Sequence, residues 1–330
     1  MSRLCLYFRR PPESDRWIPG DRYVRPIVRR IVRGRPRPGG LEKVCINLRL
    51  GLERAGVPYV FNLPFDRLRP SDHVAVLGVG PYSLEGYDRP NPVLAGIGLM
   101  THPSEWPSLC EDHPVVRYLQ HSAWCDAVYR PWFGERCAIW PVGIDTERWR
   151  PVPPEGKTTD FLVYDKIHWD RPARETDLLA PILDQLRRRG LSFQVLRYGG
   201  YQPSDYLAAL ARSRALLFLS AHESQGIAAQ EAMSAGLPIL AWDPGFVQDP
   251  TRHSWGQPRI PATSVPWFDE RCGRRFRDAS EFPDALEAFL DDLRARRFAP
   301  RDYVLENLRL EDRALHFQRL AAEAHSSAKP

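Results

Sequence analysis

Residues 215–243 read ALLFLSAHESQGIAAQEAMSAGLPILAWD, and the order of patterns within them decides the fold. The run 215–220 (ALLFLS) has the length and uniform apolarity of a strand buried on both faces. Residues 224–235 follow with helical spacing, Gly236 closes that helix, and residues 238–242 (PILAW) form a second apolar strand. Strand, helix and strand in so short a span make a βαβ unit, which requires a right-handed crossover and a parallel sheet.

The same alternation extends outward on both sides. Residues 161–164 and 193–198 read as strands, and residues 176–189 and 204–214 as helices between them. Toward the N-terminus, Gly39-Gly40 open a helix over 41–55 that Gly56 ends, strands follow at 59–62 and 74–79, and 96–101 supplies a third. A helix near 115–129 and a strand near 137–141 complete that half. The proline-rich segment 151–156 (PVPPEG) reads as a linker. The prediction is an α/β protein of two Rossmann-like, doubly wound domains, 1–150 and 151–330, facing a central cleft, with ligands beyond the carboxyl ends of the strands. An amphipathic helical tail over 300–324 follows, with Leu305, Leu308, Leu315 and Leu320 on its inner faces.

Bulk properties narrow the function. The 330 residues are 43% hydrophobic with a net charge of +5, which excludes a disordered or collagen-like chain. Six cysteines without a CxxC pair suggest neither a zinc site nor a disulfide framework. No apolar run approaches the length of a membrane helix, and the N-terminus lacks the apolar core of a signal peptide, so the expected location is cytoplasmic. Residues 1–60 carry 14 basic and 5 acidic groups. The densest basic run, RPIVRRIVRGRPR, bounded by Arg25 and Arg37, could face phosphates, anionic lipid or nucleic acid, or simply water. Only four of the 46 basic residues are lysines, Lys43, Lys157, Lys166 and Lys329. Against so arginine-rich a background, a retained lysine is a candidate for chemistry.

The segment 222–243 concentrates that chemistry. Glu223 sits at the mouth of the loop after the buried strand, Ser224, Gln225, Gly226 and Ile227 open the helix, and Glu231 returns a second carboxylate eight residues later. A helix opening offers unpaired N–H groups and a positive dipole end, which suits a diphosphate. Gly226 allows close backbone approach. Counted along a helix, eight residues place Glu223 and Glu231 two turns apart on neighbouring faces.

This Glu-x7-Glu segment resembles the signature of the large retaining family four of GT-B glycosyltransferases. The resemblance implies that Glu223 contacts donor-sugar hydroxyls, that the amides of Ser224 to Ile227 hold phosphate and sugar, and that Glu231 binds the nucleotide ribose. Gly39-Gly40-Leu41-Glu42-Lys43-Val44 is similar to the family's amino-terminal glycine-rich turn, which adds Gly40 to the donor side. The stretch 142–151 (VGIDTERWRP) looks like its interdomain segment, and 300–311 like its closing helices, which often cross back to the first domain. The constellation YDKIHWDR, 164–171, keeps the spacing of the family's two diphosphate-gripping cations but reverses them, Lys166 then Arg171, with Asp165 in place of a glycine. Fixed cations stabilise the charge that gathers on a departing nucleoside diphosphate without a metal. Their bland alternative is a pair of surface cations matched to Asp165 and Asp170. Glu223 could equally complement a helix dipole, and Glu231 could be a solvated mid-helix residue. On the acceptor side the resemblance points to His102, which could also be a hydrogen-bonded loop histidine; His121 reads as structural.

Absent motifs exclude other classes. There is no Asp-x-Asp, no HExxH, no GxxxxGK[ST] and no GxSxG. The expectation is a nucleotide-sugar-dependent glycosyltransferase acting with retention, with a nucleotide sugar as co-substrate and no cofactor or metal. Its acceptor would be a sugar, a lipid-linked group or a small molecule, with peripheral membrane contact through the 25–37 run and no nucleic acid. Two rivals remain: other GT-B chemistry, an inverting transferase or a nucleotide-sugar epimerase, and a non-catalytic basic protein binding RNA or anionic lipid.

Overall fold

The computed structural model describes residues 2–18, 20–25, 28, 38–257 and 259–326. Their strands form two parallel sheets. The first contains β1 (Leu4–Arg9), β2 (Tyr59–Phe61), β3 (His73–Gly78), β4 (Val93–Gly96), β5 (Val115–Gln120) and β6 (Cys137–Ile139), in the order β2-β1-β3-β4-β5-β6. The second contains β7 (Thr159–Asp165), β8 (Phe193–Arg197), β9 (Ser213–Leu219), β10 (Ile239–Trp242) and β11 (Gly273–Phe276), in the order β11-β10-β9-β7-β8. Their connecting helices include α1 (Gly40–Arg54), α2 (Ala123–Phe133), α3 (Ala180–Arg188), α4 (Pro203–Arg212), α5 (Ile227–Ser234) and α6 (Phe282–Arg294), and α7 (Pro300–Asn307) and α8 (Leu310–Ser326) end the chain.

Each sheet is apolar on both faces because helices cover both. Leu216 and Phe218 of β9 pack into one cluster with Ala229, Ala232 and Met233 of α5, whereas Ala215, Leu217 and Leu219 pack into the opposite one with Phe282, Leu286 and Phe289 of α6. A strand buried on both sides has no polar face, which is why 215–220 reads as a continuous apolar run. On the first sheet, Val44, Leu48 and Leu52 of α1 share a cluster with Ala314, Phe317, Leu320 and Ala321 of α8. The last helix thus completes the core of the N-terminal sheet. The junction is tight: a Cβ on Gly51 would stand 2.7 Å from the Leu310 carbonyl oxygen, and one on Gly143 would run into the Leu310 Cα.

In both sheets the strand order reverses beside the first strand, between β1 and β3 and between β7 and β9. Chains leave such a pair of strands in opposite directions, so the carboxyl ends open a crevice there. Lys166 follows β7, and Glu223 lies in the loop after β9.

Four readings change. The strand expected over 96–101 is instead β4 at Val93–Gly96, and it ends where Ile97 takes a left-handed φ of 52°. Residues 115–129 are not one helix: 115–120 form β5 between β4 and β6, and the helix begins at Ala123, with His121 buried in the turn between them. β-Branched and aromatic residues in VVRYLQ suit the pleated slot better than their helical spacing suits a helix. The tail is two helices, α7 and α8, interrupted where the Ile144 N–H donates to the Leu308 carbonyl at 2.8 Å. The helix expected from Ser224 starts only at Ile227, because Gly226 adopts a left-handed φ of 79°. Glu223 therefore lies outside the helix, and a count of helical turns does not relate it to Glu231.

Candidate active site

The β7–β9 switch point is built by backbone pairing first. The Lys166 N–H donates to the Leu219 carbonyl at 2.9 Å, holding the exit of β7 against the end of β9, and the Tyr198 N–H donates to the Asp165 carbonyl at 2.8 Å. Side chains then converge on this frame. Lys166 Nζ donates to Glu223 Oε1 at 2.6 Å, and the Ser220 hydroxyl donates to the same oxygen at 2.7 Å. Both side chains are largely sheltered, at 20% and 11% exposure, a setting in which a charged pair interacts more strongly than at an open surface.

The main chain of Glu223 is fixed from two sides. Its N–H donates to the Thr263 carbonyl at 3.0 Å, and its carbonyl accepts from the Trp124 indole N–H, on α2 after the first sheet's β5, at 2.9 Å. Asp243 braces this arrangement by accepting from the Thr263 hydroxyl and the Ser264 N–H. His222, beside it, stacks on Trp169 at 4.8 Å, and its Nδ1 accepts from the Gln248 N–H. Burial pushes the His222 pKa down to about 4, so the imidazole is neutral near pH 7.

Beside the pair lies a polar cavity of about 170 Å³ lined by Asp165, Lys166, His168, Arg171, Arg197 and Tyr198. Arg171 reaches it while bound to Asp165 at 2.6 Å and to Glu175 at 2.9 Å. It is thus matched by carboxylates, Asp165 among them but with Glu175 in place of Asp170. Lys166 instead takes its carboxylate from Glu223. Arg197 and Tyr198, at the end of β8, complete the cation-rich wall. Sequence reasoning passed over them because Gly199-Gly200 marks only a turn.

Other predicted residues stand elsewhere. Gln225 is 2% exposed, and its amide is consumed structurally: Oε1 accepts from the Val142 N–H, and Nε2 donates to the Val142 carbonyl and to Gln230. That side chain ties the opening of α5 to the segment after β6, and both Nε2 donors are used in doing so. Ser224 is exposed, Gly226 caps α5, and Ile227 begins it while packing against both main cores. Gly40 opens α1, with empty space where a Cβ would stand. His102 is 1% exposed; its ring stacks on Trp255 at 4.8 Å and meets Trp132 edge-on, and its Nδ1 accepts from the Ser104 N–H. His121 is buried as a structural residue would be, with its pKa pushed down to about 4 by that burial.

Glu231 is fully enclosed at 1% exposure and is reached by Lys43 Nζ of α1 at 2.5 Å. Burial raises its carboxyl above the ordinary range, with Lys43 and Arg148 opposing. Lys43 is the second of the four lysines to meet a signature glutamate. Its rarity was the available signal, but only the fold brings α1 to α5.

No family model and no curated protein matches the chain. Solved structures do. TarM superposes with a TM-score of 0.56 at 11% identity, over 84% of this chain and 58% of TarM, so this chain spans little more than half of that protein's length. The lipopolysaccharide outer core galactosyltransferase WaaB superposes with a TM-score of 0.54 at 13% identity, over 97% of this chain and 99% of WaaB. Sucrose-phosphate synthase from Thermosynechococcus elongatus gives 0.54 at 14% identity, over 88% and 94%. Two parallel sheets of this order, with a last helix returning to the first, give this chain the GT-B fold of these glycosyltransferases.

Proposed function

We propose that the protein is a retaining glycosyltransferase that moves a sugar from a nucleotide sugar to an acceptor hydroxyl. The observation that carries this reading is the contact of Lys166 with Glu223 at the C-terminal switch point, beside a cavity walled by Lys166, Arg171 and Arg197. A diphosphate fits that wall by charge, and Lys166 and Ser220 both bind Glu223 at Oε1, which leaves Oε2 to accept from a donor-sugar hydroxyl. The 224–227 amides at the opening of α5 supply further donors.

In the transfer step the bond from the anomeric carbon to the diphosphate oxygen breaks as the acceptor oxygen bonds that carbon on the same face. The acceptor's proton passes to the departing phosphate, so no protein nucleophile and no metal is required. Lys166 and Arg171 stabilise the charge arriving on the leaving group, each contributing about 2–4 kcal/mol. His102 lies on the acceptor side in this reading. S. aureus TarM has been crystallised with UDP and alpha-GlcNAc-glycerol, which makes UDP sugars the first donors to try.

The test is release of nucleoside diphosphate from a panel of UDP, GDP and TDP sugars with mixed acceptors. Turnover that falls at least a hundredfold in Glu223→Ala supports the reading, and wild-type turnover in that variant overturns the site. Anomeric analysis of the product separates retention from inversion.

Peripheral contact with an anionic membrane at the cytoplasmic face belongs to the same reading. No helix among the described residues is long and apolar enough to cross a membrane. Trp17, Ile18, Tyr23 and Val24 are, however, 73%, 67%, 68% and 57% exposed, beside Arg16 and Arg22. Most of the 25–37 run lies outside the described residues. Flotation with anionic but not neutral vesicles supports this contact, and flotation with neither removes it.

A further inference from the structure

Glu231 presents an unusual state for a carboxylate. It projects from α5, a helix buried on nearly every side, and neither of its oxygens has a partner of hydrogen-bonding geometry. Its ion-pair partner among the described residues is the Lys43 ammonium of α1, at 2.5 Å. A buried charge needs both a counter-charge and hydrogen bonds, and an acceptor left unmatched costs about 1–3 kcal/mol. The counter-charge is present on Oε1. The missing hydrogen bond on Oε2 is what a ligand hydroxyl would supply.

Lys43 is itself held in place. It lies on the first turn of α1, its N–H donates to the Gly39 carbonyl, and its ammonium stands 5.5 Å from the centre of the Trp149 ring. Trp149 is fixed in turn by the Ser234 hydroxyl, one turn along α5 from Glu231, and by Arg301, both donating to its carbonyl. The Lys43 side chain is 32% exposed, against 1% for Glu231.

We infer that Lys43 is a positioning residue of the donor site, holding the Glu231 carboxylate ionised and aimed for a hydroxyl of the bound nucleotide. The inference rests on the donor-side reading of Glu231 given above. The N-terminal domain then contributes to donor affinity, and donor binding is coupled to the seating of α1 against α5. The charged and titratable groups around Glu231 are Lys43 on α1, Arg148 on the interdomain segment and Tyr206 on α4. Arg148 remains when Lys43 is removed, so the carboxyl still ionises, but at higher pH.

The test is calorimetric titration of UDP and GDP into wild type, Lys43→Met, Lys43→Arg and Glu231→Gln between about pH 6 and about pH 8.5. The inference predicts that Lys43→Met weakens binding about tenfold or more at the acid end, that the gap closes as pH rises, and that Lys43→Arg binds like wild type. Thermal stability should move oppositely. A carboxyl whose folded pKa is raised binds more protons folded than unfolded, so its contribution to stability falls as pH rises, and the melting-point deficit of Lys43→Met should widen toward alkaline pH. A purely structural pair gives the melting-point pattern without the binding pattern. Wild-type affinity in Lys43→Met at every pH, with Glu231→Gln impaired, overturns this inference alone. A pH-independent loss in Lys43→Met overturns it too. Wild-type affinity in Glu231→Gln removes the donor role of Glu231 and the inference together. Should Lys43→Met fail to fold, Lys43→Gln carries the same comparison.

Discussion

Lys166 Nζ and Glu223 Oε1 lie 2.6 Å apart across 57 residues of sequence, at the point where β7 and β9 send the chain in opposite directions. Backbone bonds from Lys166 to Leu219 and from Glu223 to Thr263 hold the two residues where their side chains meet. In a donor complex the ammonium can face a phosphate while the carboxylate faces a sugar hydroxyl, each held by the other.

If the two residues act as one unit, their removals will not add. Lys166→Ala and Glu223→Ala should each lower kcat/KM about a hundredfold to a thousandfold, with the double variant no worse than about tenfold below either. Steady-state kinetics on the three variants measures this, and multiplicative losses would show that the residues act independently.

Gln225 should matter for stability and little for chemistry. Replacing it with Leu strips partners from the Val142 N–H and carbonyl and from Gln230, all of them buried, at a cost of about 3 kcal/mol. Denaturant unfolding should show that loss while the affinity for nucleoside diphosphate, measured in buffer, stays within about threefold. A large affinity loss in a stable variant would place the Gln225 side chain, beside its main-chain amide, in the donor site.

The buried histidines set the acid limit. His121 and His222 have pKa values near 4 when folded, against about 6.5 in an unfolded chain. The unfolded state therefore takes up protons first, and stability drops as pH falls from about 6.5 to about 4. His222→Phe, which keeps a ring against Trp169, should reduce the slope in that window by about 1.4 kcal/mol per pH unit. Urea titrations at stepped pH check it, and an unchanged slope would mean that His222 already binds its proton in the folded state.

Gly143 tests the return of α8. An alanine there would drive its Cβ into the Leu310 backbone, where little can yield. Gly143→Ala should cost about 1–3 kcal/mol, read as a lower melting temperature, whereas Gly40→Ala, with open space, should cost far less. Equal stability of the two variants would contradict the packing of α8 on the interdomain segment.

The parts legible in sequence were those whose burial is uniform or whose turns carry glycine. β9, α5 and β10 were readable because a doubly covered strand has no polar positions and Gly236 stops the helix. β1 was not: its apolar residues run directly into Arg9 and Arg10, and what makes it a central strand is pairing with β2 and β3, which no local pattern shows. The 115–120 segment has apolar spacing that satisfies both periods, and the slot between β4 and β6 decides between them. At the site, Glu223 and Lys166 were recognisable from their places after strands. Gln225 carries the same apparent motif membership, yet its amide faces Val142 because the interdomain segment passes there. Lys43 meets Glu231 only through a tertiary contact from α1 to α5, a relation that rarity of lysine hinted at and could not locate.

The central claim is that the Lys166 and Glu223 cleft binds the diphosphate of a nucleotide sugar, and calorimetric titration of UDP and GDP into wild type and Lys166→Ala tests it most directly. The account predicts saturable binding of at least one of them to the wild type, weakened at least about thirtyfold in a folded Lys166→Ala protein, a loss of about 2 kcal/mol. Equal affinity in the two proteins, or no binding of either nucleotide to the wild type at millimolar concentration, would contradict it.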